Sequence, residues 1–147
     1  MPRILWAASL ALTLLASPGQ AQSIADVIKS GGLVTRWAVK CDAPASTTNF
    51  HVTFDVSNPD RVVHVHDFGN RIRRTYLIHF AKKREDNLWE FRFEDLGDKA
   101  MSEQMIRITR DTFRVMSNRE DGGKFYIRDG MQTLSPGTPS VTLRHCG

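Results

Sequence analysis

Three imidazoles are the side chains of this sequence best suited to chemistry. His64 and His66 stand two residues apart in Arg61-Val-Val-His-Val-His-Asp-Phe-Gly-Asn70, and His51 lies upstream in Phe50-His-Val-Thr-Phe-Asp-Val56. Alternate residues of a β-strand share one face. If Ser57-Asn-Pro-Asp60 is a four-residue hairpin loop, Val56 meets Arg61, His51 faces His66, and His64 sits beside them. Imidazoles grouped on an outer sheet face suit zinc, copper or nickel, and Asp55 lies further along that face. The competing reading is three solvated histidines, because Arg73 falls opposite His66 and a neighbouring positive charge opposes a bound cation.

The same register gathers Val52, Phe54, Val56, Val63 and Val65 on the inner face. A two-residue turn at Gly69-Asn70 adds Ile72, Tyr76, Ile78 and Phe80 to it. A tight turn at Arg84-Glu85 then pairs Phe80 with Trp89, Ile78 with Phe91 and Tyr76 with Phe93. On the outer face it pairs His79 with Glu90 and Thr75 with Glu94. Arg61, Asp67 and Arg74 fall among the inward residues, and buried charges need partners or a wet cavity. One reading places Arg61 and Asp67 at barrel rims, with Arg74 paired to Asp67. The other makes Arg74, Tyr76 and Arg61 the polar anchor of a cavity walled by Trp89 and Phe91, suited to a small amphipathic anion.

The elements that would position these residues are short strands. Ser23 caps a brief helix whose apolar positions are 24, 27 and 28 and which Gly31 can stop. From Leu33 the period is two. Strands are expected at Leu33–Cys41, Phe50–Val56, Val62–Phe68, Ile72–Phe80, Leu88–Glu94, Gln104–Thr109, Thr112–Met116, Lys124–Arg128 and Val141–Cys146. Turn sequences such as Asn58-Pro59-Asp60, Asp121-Gly-Gly123 and Ser135-Pro-Gly137 divide them. An all-β, antiparallel up-and-down meander of eight or nine strands follows. Closure into a barrel removes both exposed edges; an open sandwich is the alternative.

The sequence holds two cysteines, Cys41 and Cys146, and an even pair in an oxidising compartment forms a disulfide. Residues 1–21 have the layout of a secretory signal peptide: Arg3, an apolar run from Ile4 to Ala16, Pro18-Gly19, and a cut expected at Ala21–Gln22. The run is shorter than the roughly 20 residues a membrane span needs, and no second such run follows. Residues 22–32 would form the helix and linker, and 33–147 one β-barrel domain in the periplasm or outside the cell.

The formal charge is +4, and the basic clusters Arg71–Arg74 and Lys82–Arg84 are interrupted by acids elsewhere on the chain, so nucleic acid is not an expected partner. The chain carries no nucleophile elbow, zinc-protease helix or phosphate-cradling glycine loop, and an enzyme is not expected.

A Trp-bearing first strand, Thr35-Arg-Trp-Ala-Val-Lys-Cys41, then a meander and a Cys-terminated last strand resemble the small secreted calycin or lipocalin-like barrels over most of Leu33–Cys146. The Gly-x-Trp opening of that family is absent. The resemblance implies carriage of an apolar ligand without a cofactor. The leading functional expectation is therefore an exported, non-catalytic binder of a small amphipathic or lipid-like molecule. Its alternatives are a periplasmic metal binder using His51, His64 and His66, and an envelope protein-interaction or inhibitor module using loops such as Gly69–Arg74 or Gln132–Ser140.

Overall fold

The computed structural model describes residues 22–85 and 87–147; the expected signal peptide lies outside them. One helix, α1 (Ile24–Ser30), precedes the strands β1 (Arg36–Ala38), β2 (His51–Asp55), β3 (Val63–Asp67), β4 (Arg73–Lys83) and β5 (Leu88–Asp95). They continue as β6 (Met101–Ile108), β7 (Thr112–Glu120), β8 (Phe125–Arg128), β9 (Met131–Gln132) and β10 (Thr142–Cys146). Strands β1 to β7 pair in chain order, and β10 pairs with both β1 and β7. The result is a closed eight-strand antiparallel barrel. Strands β8 and β9 leave β7 as a separate arm, so the order of the meander was legible while this arm's second strand was not.

Alternation builds the wall. In β5 the side chains of Trp89, Phe91, Phe93 and Asp95 are buried and those between them are not, the period that puts every second residue in the core. Trp37, Phe54, Ile106, Ile108, Phe113 and Leu143 complete the same core. Helix α1 covers one end of the barrel. The Ser23 hydroxyl accepts the Asp26 amide and caps it, while Ala25 and Ile28 turn inward. Gly31 lets the helix end lie against Trp89: a Cβ there would stand 2.3 Å from the indole. A disulfide joins Cys41 to Cys146 across a separation of 105 residues, with Cα atoms 5.4 Å apart. Closing so long a loop restricts the unfolded chain by about 4–5 kcal/mol in the entropy account.

The hairpin registers differ from expectation by one residue at two successive turns. Asp55 pairs with Val63 and Val52 with His66, because the loop after β2 takes in Arg61, whose amide donates to the Asn58 carbonyl. The next turn is likewise longer. Gly69, Asn70 and Arg71 all have positive φ, and Phe68 and Ile72 close a three-residue loop. The two slips cancel for β4, which keeps Arg74, Tyr76 and Ile78 on the expected face. Strand β3 between them is inverted. His64 and His66 point into the barrel with Val62, while Val63 and Val65 lie on its outer side.

Two bulges adjust the wall further. One at His79 in β4 turns Phe80 outward, leaving it 39 % exposed, and Ala81 inward. Ile72 is exposed as well, because the longer turn holds it outside the ladder. The second bulge lies in β7, where Met105 pairs with Ser117 but Ile106 with Val115. The extra residue, Met116, shifts the alternation. Phe113 and Val115 face inward below the bulge, and Asn118 and Glu120 face inward above it.

Candidate functional site

The barrel interior is solid at the helix end and hollow at the other. A cavity of about 550 Å³ occupies the hollow half, within the range of small-molecule sites, roughly 300–1,000 Å³. Its floor and walls include Val52, Phe113, Leu143 and Tyr76, with Phe50 and Phe68 near the entrance. The exposed side chains Arg74, Asp98, Leu134 and Val141 mark the mouth. The β8–β9 arm contributes Tyr126, Ile127 and Gln132 to one side. Arg114 fastens that arm: its guanidinium donates to Ser140 Oγ at 3.1 Å and to the Gly130 carbonyl at 2.9 Å.

Polarity changes along each strand. Nearest the helix, β6 presents Ile106 and Ile108 inward; toward the mouth it presents Gln104 and Ser102. On β7 the sequence runs from Phe113 to Asn118 and Glu120, and on β5 from Trp89 to Asp95. The cavity thus combines an apolar floor with a polar upper ring.

His64 sits on the boundary. Its ring is sandwiched between Phe54, at a centroid distance of 4.5 Å, and Phe93, at 5.0 Å. His66 meets it edge-on at 4.6 Å and stacks on Phe50 at 5.8 Å. Burial, and secondarily the neighbouring His66, hold the His64 imidazole well below its ordinary pKa. Burial and then the Arg74 charge lower His66 to about 4, against a smaller upward pull from Asp95. Both rings are neutral at pH 7. Among the described residues neither Nε2 has a hydrogen-bond partner, nor does Asn118 Oδ1; all three atoms are buried and belong to residues lining the cavity.

The expected site residues divide. Arg74 and Tyr76 do border the cavity. Arg74 is already engaged, however, with Nε 3.6 Å from Asp95 and a terminal nitrogen 4.0 Å from Asp98. Burial raises the Tyr76 pKa, with Arg74 opposing the rise, so its hydroxyl keeps its proton. Asp67 is no partner of Arg74; it pairs with Arg73 on the outer face at 3.1 Å. Arg61 is exposed in the loop after β2, at the helix end, and lies outside the cavity lining. Trp89 and Phe91 belong to the solid half, where they stack on one another, and do not line the cavity either.

The three histidines do not form one group. His51 projects from the opposite face to Val52 and contacts the Ala43 carbonyl at 3.2 Å, whereas His64 and His66 are internal. Among the described residues no set of three or more His, Cys, Asp or Glu side chains is arranged to hold a metal ion. His79 pairs with Glu94 at 2.8 Å rather than with Glu90, again because of the bulge.

Residues not foreseen are Asp95, Asn118, Glu120 and the inward orientation of His64 and His66. The pattern Ser102-x-Gln104-x-Ile106-x-Ile108 in β6 held a usable signal, since polar residues at inward positions mark a wet upper lumen. Among the described residues no helix is long and apolar enough to cross a membrane. The closed barrel agrees in architecture with the calycin-like resemblance, yet no protein-family model, curated protein or solved structure matches the chain.

Proposed function

We propose that this protein binds a small amphipathic molecule in the upper half of its barrel and carries it without chemical change. The observation that supports this reading most is the cavity itself: a volume of about 550 Å³, open at one end of the barrel, with an apolar floor and a polar ring. A barrel needing only stability would fill that space, because empty volume forfeits packing energy of about 24 cal/mol per Å³ in core truncation series. Export fits the leader-like first 21 residues and the Cys41–Cys146 bridge, which persists best in an oxidising compartment.

Native mass spectrometry on gently purified protein tests the reading. Retention of one amphiphile per chain, or uptake of one from an added panel, is expected. A protein that stays unliganded throughout would overturn it.

A further inference from the structure

The charges around the cavity say what kind of amphiphile it takes. Among the described lining residues there is one guanidinium, Arg74, against three carboxylates, Asp95, Asp98 and Glu120. The imidazoles do not redress the balance, since burial keeps them neutral. Arg74 lies within reach of Asp95 and Asp98, so an incoming anion would compete with two carboxylates of the protein for a single cation. Among the described residues the Glu120 carboxylate accepts from the Tyr126 hydroxyl, 3.0 Å away, and pairs with no cationic side chain. An anionic ligand is therefore disfavoured and a cationic one favoured, by charges acting in a partly water-excluded space.

A second set of observations concerns hydrogen bonding and shape. His64 is 2 % exposed, its Nε2 has no partner, and it lines the cavity, as do His66 Nε2 and Asn118 Oδ1. Leaving such atoms unsatisfied under a ligand weakens its binding. An aliphatic lipid tail offers them nothing, whereas N–H or O–H groups do. The walls present the rings of Phe50, Phe68, Tyr76, Phe113 and Tyr126, which favour flat partners and attract cations to their faces.

From these two lines we infer that the cavity selects a compact aromatic amine, its ring between the aromatic walls and its ammonium group toward Asp95 and Glu120. This rests on the lumen-binding reading above and narrows it.

Calorimetric titration with four probes separates the two: naphthylmethylamine, naphthylmethanol, naphthoic acid and dodecanoic acid. The amine is expected to bind about tenfold or more tightly than the naphthoic acid, with the alcohol between them. Asp95→Asn and Glu120→Gln keep the acceptors used by the Gly97 amide and by Tyr126, so each should fold. Each is expected to weaken the amine several-fold, and Asp95→Asn should strengthen the acid by freeing Arg74. If an acid binds the parent as tightly as the amine, or the amine preference survives both substitutions, the inference fails while lumen binding stands. If no probe binds, the carriage reading fails and takes the inference with it.

Discussion

Acid should unfold this protein through its two internal histidines, and the structure gives the pH window. In the unfolded chain an imidazole takes up a proton near pH 6.5; in the barrel His66 resists protonation until about pH 4. Between those values the unfolded state binds the additional proton, so stability falls as pH falls. The histidine contribution is fully present above pH 6.5 and is lost progressively toward pH 4. For His66 alone the difference corresponds to about 3 kcal/mol, a large share of the roughly 5–15 kcal/mol typical of a domain. His64 adds a loss of the same sign. Asp55, Asp67 and Glu94 have carboxyls held below their ordinary range, so their losses fall at lower pH. Urea unfolding followed by circular dichroism from pH 7.5 to 4.5 measures the slope. His66→Phe, which can keep the stack on Phe50, should show a shallower decline by about 1.4 kcal/mol per pH unit within the window. A parent whose stability is flat from pH 7 to 4.5, or parallel curves for parent and variant, would refute the buried neutral pair.

Other outcomes follow from single contacts. Replacing Cys41 and Cys146 together by serine should lower unfolding free energy by about 4–5 kcal/mol in denaturant titration; a loss under 1 kcal/mol would count against the staple. Gly31→Val should cost about 1–3 kcal/mol by thermal denaturation, because its side chain meets Trp89, and a neutral result would mean the helix does not press on the barrel end. Arg74→Ala should cost about 1–3 kcal/mol in denaturant titration, since its partner Asp95, 3.6 Å away, is buried and would lose its cation. In calorimetry that substitution should move probe affinities, whereas Arg61→Ala should leave them unchanged; equal effects of the two would contradict the position of the cavity.

The meander, the short capped helix and the disulfide were legible because they depend on period, turn residues and pairing of two cysteines. The orientation of β3 was not. Valine is at home on either face of a sheet, so the agreement of Val52, Val63 and Val65 carried less information than the length of the loop. Arg61 and Arg71 decided that length, the latter at a φ of 65° that a non-glycine residue adopts only in a committed turn. One added residue in each loop inverted the strand between them and moved two histidines from the surface to the interior. The site residues on β7 were hidden for a related reason. Ser117-Asn118 reads as the end of a strand, but the bulge at Met116 continues the pairing and turns Asn118 toward the lumen. Arg74 and Tyr76 were placed correctly on the inner face because two slips compensated.

The central claim, a ligand site in the upper half of the barrel, is tested most directly by ¹H–¹⁵N NMR during titration with naphthylmethylamine. Saturable shifts are expected at His66, Tyr76, Asn118 and Tyr126, while the indole signals of Trp37 and Trp89, buried at the helix end, stay in place. Saturable shifts confined to the outer face, around His51, His79 or the β4–β5 turn, would contradict it.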